Sequence, residues 1–139
     1  MADHRPVVYL AGPIRCADDP VGWRAAIRQS TTEYAIHDPM RRDVDPRDDP
    51  AEEIVKGDLQ MIDDSDAVFV GYRDDVPSVG TAMEIRYASE TDTPVVVWQR
   101  DDSETIASPW LEYHADIIRD QRDAALWQLH GVVSGGGPR

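Results

Sequence analysis

The sequence predicts an α/β domain built on a doubly wound sheet of about five parallel strands, with helices on both faces. Three observations carry that expectation. The runs "PVVYLAG", "DAVFVGY" and "TPVVVWQ" are short, rich in β-branched residues and continuously apolar, as strands covered on both faces are. Segments of helical periodicity stand between them, the alternation that produces parallel pairing through crossovers. The 139 residues suffice for one domain with its own core, and neither repeats nor a linker divide them.

The elements follow in order. Residues 6–12 form the first strand and end in Gly-Pro, which starts a loop. Residues 20–34 read as a helix opened by Pro20, with Trp23, Ala26, Ile27 and Tyr34 inward. "AIHDP" is a short second strand, and residues 38–50, dense in Pro and charge, are an exposed loop. A helix then begins with Asp49 as N-cap, Pro50 at the first position and Glu52 and Glu53 in the first turn, and runs to about Asp64. The third strand spans 66–72, a helix opens near 79–80, and the fourth strand is "TPVVVWQ". "SPWLEYHADIIRD" holds a turn and a last strand near 115–118. A closing helix ends at Gly131, so the domain spans 1–131 with a flexible tail at 132–139. This is a flavodoxin-like arrangement. In such sheets the ligand lies beyond the carboxyl ends of the strands, where strand order reverses.

Charge sets the background. Lys+Arg total 14 against 27 Asp+Glu, a net charge of −13, and Lys56 is the only lysine. An acid-rich, lysine-poor surface suits high salt, so the sequence reads as a halophilic, cytoplasmic protein whose carboxylates mostly face solvent. With no basic patch to neutralise phosphates, a nucleic-acid polymer is excluded as partner. No apolar run is long enough to span a bilayer. Cys16 is alone, which excludes an internal disulfide and a multi-cysteine zinc site. The pairs His37-Asp38 and His114/Asp116 are weak metal fragments, and neither GxGxxG nor a P-loop is present. Trp98, Trp110 and Trp127 are candidate core or interface anchors, and Trp110 could also wall a base pocket.

Two carboxylates stand out against this background. Asp58 shares a helical face with Ile54, Met61 and Ile62, one acid in an apolar stripe. Spacing alone leaves open an acid at the stripe's edge or one facing a cleft with a raised pKa. Glu84 sits between Met83 and Ile85 near a helix start, with Ser78 as a candidate N-cap and Gly80 allowing close approach. The ordinary reading is a first-turn glutamate stabilising its own helix. The functional reading is a carboxylate kept ionised by the helix N-terminus, beside an anion site. An ionised carboxylate paired with one perturbed by burial suits glycosidic-bond cleavage.

"VYLAGPIR" (8–15), "GDLQMIDDSDAVFV" (57–70) and "SVGTAMEIRYA" (78–88) resemble the nucleoside 2-deoxyribosyltransferase family and the related 2′-deoxynucleoside 5′-phosphate N-hydrolases. The resemblance implies a symmetric dimer, or higher homo-oligomer, with shared active sites acting on small deoxynucleosides or deoxynucleotides and a free base. It implies no metal and no organic cofactor. Glu84 matches the nucleophile that forms a covalent deoxyribosyl intermediate. Asp58 matches the acid that assists departure of the base, and Tyr9 a tyrosine that orients the nucleophile. Transferases acting on free nucleosides typically place an acid six residues before the nucleophile, where this chain has Ser78. That serine, with Arg15 after the first strand and Gly12 and Gly80 beside them, resembles the phosphate-recognising branch. Ser108 matches a serine contributed by the partner subunit, whereas Pro13 replaces a serine of that branch. The rival from another class is a non-catalytic nucleotide sensor. A phospho-receiver would need a lysine ending a late strand, and Lys56 lies in a helix.

Overall fold

The computed structural model describes residues 5–14, 19–45, 48–73, 76, 78–100 and 108–134. Five strands form one parallel sheet: β1 (Val7–Ala11), β2 (Ala35–His37), β3 (Ala67–Tyr72), β4 (Val95–Gln99) and β5 (Ile117–Arg119). Their order is β2-β1-β3-β4-β5, so the direction of winding reverses between β1 and β3. The connecting helices are α1 (Gly22–Ser30), α2 (Ala51–Asp63), α3 (Val79–Glu90) and α4 (Pro109–His114), and α5 (Arg122–Val133) follows the last strand.

Period-two alternation along each strand supplies two cores. Val8 and Leu10 pack with Phe69, Val96 and the inner faces of α1 and α5. Tyr9 and Ala11 pack with Val68, Val70, Val95, Val97, Ile62 of α2, Ile85 and Ala88 of α3, and Leu111 of α4. Thus β1 shows Tyr9 to the α2/α3 face and its neighbours to the other.

Two aspartates fix the strand pairing. Asp66, just ahead of β3, donates its N–H to the Val7 carbonyl at 2.7 Å and accepts the Val7 N–H on Oδ2 at 2.8 Å. Asp116, just ahead of β5, does the same with Val95, at 2.9 and 2.7 Å. Part of the aspartate excess is therefore structural.

Several expectations are corrected. In α1 the helix ends at Ser30, Ala26 is exposed, and Arg24 is fully buried in its place. Its guanidinium donates to the carbonyls of Leu10, Gly12 and Pro20, which makes that burial tolerable. The N-cap of α2 is Pro50; the Asp49 carboxylate turns away and accepts the Asp45 N–H at 2.6 Å. The expected turn before the last strand is the helix α4, capped by Ser108, whose Oγ accepts the Trp110 N–H at 3.2 Å. Gly131 does not end α5. The helix runs on because Val133, 7% exposed, anchors its last turn in the core, so residues 132–133 are not tail.

Trp110 and Trp127 are each 75% exposed, which removes the core reading for both. On α5 the helical phase turns Ala125 and Leu129 inward instead. Trp98 does pack edge-on against Trp23, at 6.2 Å between ring centroids. The histidine–aspartate pairs have structural partners. Asp38 caps the 3₁₀ turn Pro39–Arg41 and pairs with Arg28 at 3.2 Å, and His114 Nδ1 contacts the Trp110 carbonyl. Among the described residues no group of three or more His, Cys, Asp or Glu could hold a metal ion, and no helix is long and apolar enough to cross a membrane.

Candidate active site

A cleft of about 430 Å³ opens between the end of β1, α2 and α3, beside the reversal of strand order. Each wall follows from the local sequence. The end of β1 brings Tyr9 and Gly12. A Cβ on Gly12 would lie 2.8 Å from the Gly71 carbonyl and 2.9 Å from the Trp23 ring, so only glycine lets the chain leave the sheet here. α2 turns Asp58 and Leu59 to the cleft, and α3 turns Ser78, Gly80, Thr81, Met83 and Glu84.

Ser78 is the N-cap of α3: its Oγ accepts the Thr81 N–H at 3.1 Å and shares a 2.6 Å bond with the Thr81 hydroxyl. A Cβ on Gly80 would meet nothing within 4 Å, so this turn borders open cleft. Glu84 is the sixth residue of α3. It therefore stands in the second turn, past the reach of the dipole effect assigned to a first-turn acid. Its partner is instead Tyr9, fully buried, whose hydroxyl donates to Glu84 Oε2.

The electrostatics reverse one expectation. Burial pushes Glu84 up to about 7; the Tyr9 bond and Arg24 oppose that, and the charge of Asp58 adds to it. Glu84, read from the sequence as the acid held ionised, is strongly desolvated. Asp58 is also raised by burial, but the Arg42 guanidinium bonded to its Oδ1 pulls it back, with Arg24 helping. Burial pushes the Tyr9 phenol far up, with Glu84 and Asp58 adding to the effect, so it stays a donor.

The structure thus gathers Tyr9, Gly12, Asp58, Ser78, Gly80 and Glu84 around one cleft. Arg15 lies outside the described residues. Ser108 lines a different space, an apolar groove of about 980 Å³ bordered by α2, α3 and α4. Two basic residues escaped the sequence reading. Arg24 lines the cleft from behind β1, its signal hidden in the phase between Trp23 and Ile27. Arg42, assigned to a solvated loop, reaches α2; the glycine inside that helix, Gly57, was its one trace.

These features define a class: a doubly wound α/β protein presenting two perturbed carboxylates and a capped helix N-terminus at its switch point. The family model described as "Nucleoside 2-deoxyribosyltransferase" matches residues 8–129, and the chain belongs to that family. With the family come nucleoside deoxyribosyltransferase-like enzymatic function and small-molecule nucleoside substrates. Among solved structures, the 2-deoxyribosyltransferase of Leishmania mexicana is 18% identical, with a TM-score of 0.69 over 95% of this chain and 99% of that one. The 2-deoxyribosyltransferase of Bacillus psychrosaccharolyticus is 16% identical, with a TM-score of 0.72 over 91% and 95%. A conserved protein of Enterococcus faecalis is 18% identical, with a TM-score of 0.59 over 94% and 87%. At these identities the likeness is one of fold. No curated protein sequence matches significantly.

Proposed function

We propose that this enzyme cleaves the N-glycosidic bond of 2′-deoxynucleosides or their 5′-monophosphates through a covalent deoxyribosyl-Glu84 intermediate. The observation that carries the proposal is the buried Tyr9–Glu84 pair facing the same cleft as Asp58. Ionised Glu84 attacks C1′ as the C–N bond breaks and its electrons pass to the base. Tyr9 orients the carboxylate, and Asp58, whose acid form burial favours, delivers a proton to the departing base. Another base or water then attacks C1′ from the freed side, releases Glu84 and gives net retention. Side chains alone perform these steps, with no cofactor.

The 5′-end of the substrate is assigned to the N-terminus of α3. Ser78 carries a hydroxyl there and no carboxylate, Gly80 leaves open space, and Arg15 follows β1 in the sequence. This favours a 5′-monophosphate, with Pro13 leaving that pocket one hydroxyl short.

A second copy of the chain completes the site. The apolar groove continues into the cleft through Val55, Leu59 and Met83, and it exposes Met83 by 66% and Trp110 by 75%. A partner seated there brings its own Ser108 region toward the cleft. The acid-rich, lysine-poor composition supports a high-salt cytoplasm as the setting.

The test is incubation with each deoxynucleoside and deoxynucleotide in high salt, with and without a second base. Free base from monophosphates identifies the hydrolase, and base exchange on nucleosides the transferase. Glu84→Ala should abolish either. Nucleotide binding without Glu84-dependent turnover would leave a non-catalytic sensor in place of an enzyme.

A further inference from the structure

Arg42 has no place in the mechanism above, yet α2 is built around it. The residue follows the 3₁₀ turn Pro39–Arg41 and extends across α2. Its Nη1 donates to Asp58 Oδ1 and to the Ile54 carbonyl at 3.2 Å, and its Nη2 reaches the Glu53 carbonyl at 3.4 Å. The guanidinium fills the place of a side chain on Gly57, where an added Cβ would lie 1.9 Å from Nη2. A glycine inside a helix weakens it, and here the close approach of Arg42 explains the residue. Arg42 does not line the cleft, whereas Asp58 does. Both side chains are about three-quarters covered, at 23% and 25% exposed, so solvent screens the pair little.

We propose that Arg42 is a positioning residue for base departure: it clamps Asp58 by Oδ1, leaves Oδ2 for the leaving base, and uses the side-chain-free face of Gly57 to do so. The proposal rests on the role given to Asp58 above. Among the described residues Oδ2 has no protein partner, so it is the oxygen available to a ligand. The charged and titratable groups around Asp58 come from every side: Arg42 on the α2 side, Arg24 from α1, Glu84 from α3, and the neutral Tyr9 phenol from β1. Of these, Arg42 bonds it directly and favours its ionised form. Arg42 therefore fixes the direction of the proton and, against the effect of burial, lowers the pH at which Asp58 gives it up.

Gly57→Ala separates this role from simple packing. It keeps both charges and strengthens helix propensity, while its methyl displaces the flexible end of Arg42. Three variants, Asp58→Asn, Arg42→Gln and Gly57→Ala, are compared in kcat, KM, pH profile and melting temperature. Asp58→Asn should lose turnover. Arg42→Gln and Gly57→Ala should each lower kcat by roughly ten- to a hundredfold with far smaller change in KM. Both should also move the same limb of the pH profile to higher pH. A uniform loss of rate with both limbs in place, or a Gly57→Ala enzyme that behaves as wild type, would overturn the role of Arg42 alone. An active Asp58→Asn enzyme would overturn the reading of Asp58 and this inference with it.

Discussion

Replacing Glu84 by Gln tests the desolvation of the candidate nucleophile without any substrate. The carboxyl is displaced by burial from its ordinary 4.5 to about 7. A carboxyl whose folded pKa lies above its unfolded one contributes stability that is complete below about 4.5. That contribution is lost as pH rises to about 7, and above that the ionised acid destabilises the fold by a constant amount. The displacement corresponds to about 3 kcal/mol. Glutamine keeps the shape and an oxygen for the Tyr9 hydroxyl but carries no charge. The two proteins should therefore melt together near pH 4 and diverge above pH 5. By pH 8 the variant should be more stable by up to about 3 kcal/mol, or roughly 10 °C in a domain of this size. Circular-dichroism melts at constant high salt between pH 4 and pH 9 read this directly. Coincident melts at pH 8, or a less stable variant, would refute the claim that the cleft strips water from this acid. Turnover by the same variant should be absent throughout, the usual opposition between stability and function at a desolvated active-site acid.

Tyr9→Phe removes the bond that opposes the rise of Glu84, so the limb set by Glu84 should move to higher pH and kcat fall about ten- to a hundredfold; an unmoved profile would free the nucleophile from Tyr9. Ser78→Asp should shift kcat/KM from monophosphates toward nucleosides by about tenfold or more, the worth of one charge-assisted contact, and unchanged selectivity would remove Ser78 from the phosphate site. Met83→Asp places a charge where cleft and apolar groove meet, and sedimentation should then show monomers with little turnover; a dimer of full activity counts against shared sites. Melting temperature should rise between about 0.1 M and about 1 M KCl, where the screening length drops from about 10 Å to about 3 Å. A flat response would detach the aspartate-rich surface from salt adaptation.

Much of the fold was legible because buried parallel strands leave little ambiguity: β1, β3 and β4 lie where the apolar runs fall. Helix ends were harder. Pro50 takes the cap because the Asp49 carboxylate is engaged by the Asp45 N–H, and core packing of Val133 carries α5 past Gly131. Within the site, Asp58, Ser78 and Glu84 could be singled out as odd polar residues in their segments. Their environment could not be read, since burial raises the Glu84 carboxyl while Tyr9 and Arg24, from other elements, oppose that rise. Arg24 and Arg42 stayed hidden for the same reason. A buried cation satisfied by backbone carbonyls leaves no mark in the sequence beyond the small residue that makes room for it.

The reciprocal bonds of Asp66 with Val7 and of Asp116 with Val95 bear on accuracy at the site. Adjacent parallel strands have nothing in their apolar sequences to stop one from sliding past the other, and a slide of one residue turns every side chain to the opposite face. Each aspartate acts as a peg at the start of a strand, letting its neighbour engage in a single position. In β1 that peg decides whether the Tyr9 phenol meets Glu84 or vanishes among the residues packed on α1 and α5. Loss of the Asp66 carboxylate would thus misalign the machinery from below, at the end of the sheet farthest from the cleft.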